Sequence, residues 1–469
     1  MLVAKRYLAL RAVSEPMDDG YGHDVARRFS SPHPASRPPS PSGEGKHHVY
    51  LGAARLESSY GEDLAPVAGP TGSAMTSRTA DVAIIGAGVI GASIAWHLAK
   101  RGCSKVLLLD RGDGAGAGST ARATGGFRAQ FGSEVNVRLS LLSREKLLRF
   151  AEETGGEAGF RQAGYLFIAG DEDAYRTLSV ANVLQQRAGL AEARIIEESE
   201  VRHLNPAIGA GEIHGGVFCP TDGFLSPMGV LRGYLDDASR MGVRTSFGEE
   251  IQQFEMDGDG PRLSRLTTNK GPISASVFVN AAGAWAADVA GLAGVTLPVV
   301  PLRRQVAITA PTDLLPEAMP MTIFTEDGFH LRVRDGRVLL LLPQPPSAEP
   351  VIPRGRPFDT DVDDRWLAEV VRLAAERIPR LANVPVRKQD CWSGLYEMTP
   401  DHHAILGLSE EGGNLFLANG SSGHGVMHSP AIGQIVAEMI LDGSSSFDAH
   451  ALRPSRFVEG KPNESPVLL

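Results

Sequence analysis

The stretch DVAIIGAGVIGASIAWHLA, residues 81–99, decides how the rest of this chain is read. It is apolar almost throughout and nearly as long as the about 20 residues that a membrane helix needs. Three glycines at fixed spacing (Gly86, Gly88 and Gly91), followed by His97, Lys100 and Arg101, argue for a different reading. Glycine weakens a helix interior and suits a tight turn. The stretch therefore divides into a buried strand at 82–85, a turn and a helix. In the motif Gly86-Ala87-Gly88-Val89-Ile90-Gly91, the first glycine permits the turn. The second lets the backbone approach a pyrophosphate, and the third lets helix and strand pack closely. A diphosphate would sit at the helix start, where free N–H groups point outward. The next apolar run, KVLLLD at 105–110, is a second strand ending on Asp110, 19 residues past Gly91, with Arg111 after it. Asp110 is placed to accept hydrogen bonds from a ribose. The six motif residues, Asp110 and Arg111 are candidate dinucleotide-binding residues. The motif alone does not choose between NAD and FAD.

Outward from this motif, composition narrows the function classes. The chain has 469 residues, with 46 Lys+Arg against 55 Asp+Glu and a net charge of −9. Nucleic acid is excluded as the main partner, because phosphate binding needs a basic face. Three distant cysteines (Cys103, Cys219, Cys391) exclude a disulfide framework and a Cys-rich metal site, and they suit a reducing, cytoplasmic compartment. Residues 1–78 are rich in Pro, Ser and Gly and are expected to be a disordered or non-native leader, with Met75 as an alternative start. No transmembrane segment is expected. Further strands are read at 277–283 and 337–343, and amphipathic helices at 227–241 and 362–378. A last helix is expected to begin with Ser429 as N-cap and Pro430 in the first position, and to end at Gly443.

Two more glycine clusters follow strands. In Asn280–Trp285, the small residues Ala282 and Gly283, with Trp285, allow close approach to the same nucleotide. In Asn419–His428, the candidates are Gly420, Gly423, His424, Gly425, Val426 and Met427, ahead of the last helix. A helix N-terminus there would stabilise negative charge developing on a flavin.

Together with GSTARATGGFRAQFG (118–132), VNAAGAWA (279–286), GLYEMTPDHHAILG (394–407) and GSSGHGVMHSP (420–430), these features resemble the FAD-dependent amino acid and amine oxidoreductases of the D-amino acid oxidase superfamily. The likeness is greatest to the sarcosine oxidase β-subunit and amino acid dehydrogenase branch. It implies an α/β fold: a Rossmann-like FAD-binding domain over 79–156, 226–295 and 392–450, with an interleaved α+β substrate domain built on a mixed antiparallel sheet over 157–225 and 296–391, and a tail at 451–469. Ser119, Thr120, Gly125 and Gly126 match the segment that passes the flavin, and Gly394 lies in the later motif. Some relatives attach FAD through a His where Arg122 stands, others through a Cys where Gly394 stands, so FAD is expected to be non-covalent. Met427 replaces the Lys of monomeric sarcosine oxidases, which favours a dehydrogenase over an oxidase.

The resemblance implies oxidation of the C–N bond of a small secondary amine or α-amino acid, sarcosine-, glycine- or proline-like. Hydride passes to flavin N5 and the imine is then hydrolysed. Arg128 and Arg332 are candidates for the substrate carboxylate, because the guanidinium fork suits it, and Tyr396 for a hydrogen bond or a pocket wall. His330 stands where relatives often carry a Tyr. The adjacent His402 and His403 lack partners at ligand spacing, so no metal is expected. The electron acceptor is open among oxygen, a quinone and an electron-transfer protein. Members of this branch often work in complexes, so a hetero-oligomer is an expectation. The alternatives are an FAD-dependent 2-hydroxy acid dehydrogenase and a flavoprotein with an assembly or binding role and little turnover.

Overall fold

In the computed structural model, the residues described are 78–258, 260–344 and 360–464. The expected leader lies outside them, except for Arg78, which opens the first strand. The apolar run at 81–99 becomes strand Arg78–Ile85 and helix Val89–Lys100, with Gly88 as N-cap. Val82 to Ile85 are buried on both faces, as befits a central parallel strand. No helix among the described residues is long and apolar enough to cross a membrane.

Two eight-stranded sheets form the frame. The first runs in the order Ile405–Leu408, Leu415–Asn419, Gly271–Asn280, Arg78–Ile85, Val106–Leu109, Arg244–Ser246, with a two-stranded ribbon off Gly271–Asn280. Its four pairings from Leu415–Asn419 to Arg244–Ser246 are all parallel, Ile85 lying beside both Leu109 and Asn280. The second sheet is antiparallel apart from one parallel pair, Met321–Phe324 beside Tyr165–Ala169. Its neighbours include Val300–Ile308, which pairs with Trp392–Met398 and sets Pro301 opposite Glu397.

The last helix corrects the sequence expectation. It spans Gly425–Asp442 with His424 as N-cap, so Pro430 lies inside it. A proline in a helix lacks the N–H that would bond the carbonyl four residues back. Here that carbonyl belongs to Val426, and the Ser429 hydroxyl donates to it at 2.8 Å. Ser429 therefore repairs the break instead of capping the helix. The far end does match, with Gly443 left-handed at φ 76°. The helix packs across Val89–Lys100 through Gly433, where a Cβ would fall 2.1 Å from Ser93 Oγ.

Residues 451–464, expected as a tail, are held to the body. Arg456 is fully buried and its guanidinium donates to both Asp401 oxygens, at 2.8 and 3.1 Å. Asn463 donates to the same carboxylate.

Candidate functional site

The carboxyl ends of three parallel strands, followed by Gly86, Asp110 and Ala281, come together at one edge of the first sheet. Ligands of open α/β sheets bind beyond such ends. A cavity of about 1380 Å³ opens there and runs on to the second sheet. Ordinary ligand sites occupy about 300–1,000 Å³, so this one has room for an extended molecule and a second, small one.

Each motif glycine has its own reason. Gly86 has φ 109°, and a Cβ on it would lie 2.3 Å from the Ala281 carbonyl oxygen. A Cβ on Gly91 would lie 1.9 Å from the Gly86 carbonyl oxygen. At Gly88 the nearest atom, Thr120 Oγ1, would be 3.4 Å away, so the space above this glycine belongs to the cavity. Asp110 is fixed by the backbone: Ala87 N–H donates to Oδ2 and Gly112 N–H to Oδ1, both at 2.7 Å. Thr120 Oγ1 accepts from Val89 N–H at 3.1 Å. On the opposite wall the Arg111 guanidinium lies 4.1 Å from the centre of the Trp285 ring. Ala282 and Gly283 lie beside it, and a Cβ on Gly283 would meet nothing within 4 Å.

Further along, Ser119 Oγ donates to Leu395 O at 2.7 Å, tying the 118–132 segment to the strand that carries Gly394. Gly125 and Gly126 continue the wall. Gly423 has φ 90° and sits against the Tyr396 ring. His424, Gly425, Val426 and Met427 reach the cavity as the N-cap and first turn of the last helix. That turn carries no capping side chain and no acid, so the positive helix end faces the cavity.

At the second sheet the cavity wall includes Arg128, which is 6% exposed. Its guanidinium donates to Gln130 O at 2.8 Å, approaches His424 Nε2 at 3.2 Å and lies 4.2 Å from the Phe131 ring centre. Arginine has no acceptor, so His424 Nε2 accepts and its proton sits on Nδ1. Burial, with Arg128 beside it, holds the His424 imidazole well below its usual pKa. Tyr165 packs its hydroxyl over Gly126, and burial raises its pKa.

Four sequence candidates are off the wall. Arg332 is the main correction: its guanidinium donates to the Thr124 and Gly125 carbonyls at 2.8 and 3.2 Å and stacks 3.7 Å from the Phe224 ring centre. It braces the turn behind the wall, and burial pushes its pKa down to about 10. Ala87 faces Asp110, Gly91 packs against Gly86, and Gly420 presses on Thr399, where a Cβ would come within 2.2 Å. Sequence reasoning missed Tyr165, Arg304 and Glu397 as wall residues. Tyr165 and Arg304 sit in strands Tyr165–Ala169 and Val300–Ile308, which the sequence reading did not single out, and nothing local says which of their faces meets a cavity. Glu397 was in a quoted motif, and an acid in a strand beside a glycine cluster was the available signal.

Known proteins resemble this chain along most of its length. A family model described as FAD dependent oxidoreductase (DAO) matches residues 81–439. FAD-dependent oxidoreductase domain-containing protein 1 of Xenopus laevis is 30% identical over 415 residues, covering 80% of this chain and 81% of that protein. Mitochondrial dimethylglycine dehydrogenase of Rattus norvegicus is 28% identical over 401 residues, covering 81% of this chain but 45% of that protein. This chain thus spans under half of that relative. The crystal structure of L-proline dehydrogenase from P. horikoshii aligns with a TM-score of 0.75 and 29% identity, covering 83% of this chain and all of that one.

Proposed function

Because this chain belongs to the DAO family of FAD-dependent oxidoreductases, we propose that it oxidises the C–N bond of a small secondary amine or α-amino acid whose carboxylate is held by Arg128. The observation that carries this reading is the single cavity joining the glycine-lined groove to the buried Arg128. The groove suits FAD: Gly88 leaves open space at a helix start, Asp110 is fixed at the neighbouring strand end, and the first turn of Gly425–Asp442 meets the far part. We assign the first sheet to FAD and the second to substrate. FAD, when bound, supplies the hydride acceptor.

The chain's own residues supply orientation and charge. Gln130 O and His424 Nε2 fix the Arg128 fork, which pairs with a carboxylate better than a flexible ammonium would. Tyr165 and Tyr396 wall the same chamber, and Met321, Ile323 and Leu341 exclude water from it. The helix end at Gly425 favours negative charge nearby, by about 0.3–1 kcal/mol when exposed and more when buried. Met427 lines the wall and no lysine does among the described residues, which supports a dehydrogenase over an oxidase. Gly394 and Arg122 face each other there, and no cysteine joins them, which supports non-covalent FAD. The names dimethylglycine dehydrogenase and L-proline dehydrogenase describe relatives that act on N-alkylated amino acids, and this chamber suits that class.

The test is anaerobic flavin bleaching with methylated glycines, proline, D-amino acids and 2-hydroxy acids. Amines should bleach the protein and hydroxy acids should not. Arg128→Met should keep FAD and weaken substrate reduction by roughly 10- to 100-fold, the worth of a charged hydrogen bond of about 1.5–3 kcal/mol. Arg332→Met should leave the substrate dependence unchanged. Normal reduction in Arg128→Met would overturn the carboxylate assignment.

A further inference from the structure

Glu397 has no part in the reading above, yet it belongs to the same wall. Its Oε1 accepts from Ser421 N–H at 3.2 Å and would lie 3.8 Å from a Cβ on Gly425, the first residue of the last helix. Its Oε2 is buried with no hydrogen-bond partner, and so is Ser421 Oγ. A buried carboxylate with an unsatisfied oxygen is costly, and a neutral carboxylic acid is much less so. Burial raises its pKa, while the Gly420 and Ser421 amides oppose the rise; the Ser421 hydroxyl adds to them from outside hydrogen-bonding geometry. No charged side chain contributes to that shift.

The helix end beside Glu397 is also where the FAD reading places new negative charge on reduction. Two negative charges in one desolvated wall repel strongly. We propose that Glu397 binds a proton when the FAD-loaded enzyme is reduced and releases it on reoxidation. The inference rests on the FAD reading. Hydride transfer carries two electrons and one proton from the substrate carbon to the cofactor. The Glu397 carboxylate takes one further proton from solvent, so two electrons enter with two protons. Other titratable groups line the cavity around it: Tyr396 on its own strand, Arg304 on the paired strand, His402 on the following turn, His424 at the helix start, and Arg128. Asp401, in that same turn, is buried, but its ion pair with Arg456 outweighs burial and keeps its pKa low. His424 is held neutral by burial and Arg128.

The experiment measures the midpoint potential of the FAD-loaded protein from neutral to mildly alkaline pH, where the reduced flavin itself holds only the one transferred proton. The wild type should show a segment with the slope of two protons per electron pair. Glu397→Gln should show the slope of one proton, half as steep, throughout. The reduced-minus-oxidised infrared difference spectrum of the wild type should also gain a carboxylic acid carbonyl band. That measurement decides the matter alone if Glu397→Gln does not retain FAD. A one-proton slope at every pH in the wild type, a steep segment that survives in Glu397→Gln, or no carboxylic band would overturn the proposal. Failure to bind FAD at all is visible beforehand as colourless protein, and that outcome removes the FAD reading itself.

Discussion

Gly88 and Gly91 lie three residues apart, yet alanine at each should fail in a different way. A methyl group at Gly88 enters the cavity, with its nearest protein atom 3.4 Å away, whereas at Gly91 it would collide with backbone at 1.9 Å. Gly88→Ala should therefore keep wild-type stability and lose dinucleotide affinity. Gly91→Ala should lower the denaturation midpoint, with a cost of about 1–3 kcal/mol or more for overpacking. Equal stabilities for the two variants would contradict this assignment. Two buried histidines set an acid limit. Burial holds His97 and His428 at a pKa of about 3, against an ordinary value of 6.5. Their folded pKa is depressed, so the unfolded chain binds more protons between those values, and stability falls as pH drops from 6.5 toward 3. Each contributes roughly 1.4 kcal/mol per pH unit in that window. Asp222 opposes them, because burial raises its pKa to about 6 and its contribution is lost as pH rises from 3.8 to 6. Urea melts should show a shallower loss between pH 6.5 and pH 5 in His428→Gln than in the wild type, and parallel losses would refute this role.

At the scale of elements, the crossing of Val89–Lys100 and Gly425–Asp442 holds the two helix starts of the groove together. It depends on Gly433, whose missing side chain leaves room for Ser93 and for His97, with Nδ1 at 2.7 Å from a virtual Cβ. Gly433→Ala should lower the melting temperature by several degrees, about 1–3 kcal/mol, and loosen FAD with it. Unchanged melting would mean that the crossing is more plastic than this packing implies. The glycine spacing at 86–91 and the acid at 110 made the first strand, turn and helix legible in sequence, because those constraints are local. The start of the last helix was not legible. Pro430 looks like a first-turn residue, and only the Ser429 hydroxyl on the Val426 carbonyl makes an earlier start workable. Arg128 and Arg332 looked equivalent for the same reason: each is an arginine in a glycine- or strand-rich segment. Which one meets the cavity depends on partners far away in the chain, His424 for one and the Thr124 and Gly125 carbonyls for the other. Tyr165 and Arg304 were hidden by strand pairing across the second sheet.

For the whole molecule, the long cavity reaches between two sheets assembled from distant parts of the sequence, and the C-terminal segment helps hold one of its turns. Asp401 precedes His402 on the cavity wall and is gripped by Arg456 and Asn463. Removing one partner of a buried ion pair typically costs about 3–5 kcal/mol. Arg456→Met should therefore destabilise the whole unit, and an unchanged denaturation midpoint would mean that residues 451–464 are dispensable. The central claim is that this chain carries FAD without a covalent bond. Denaturing the purified, yellow protein and analysing the protein-free supernatant tests it directly. One FAD per chain in the supernatant, with a colourless pellet, is the predicted result; a flavin that stays with the pellet, or a protein that never takes up FAD, would contradict it.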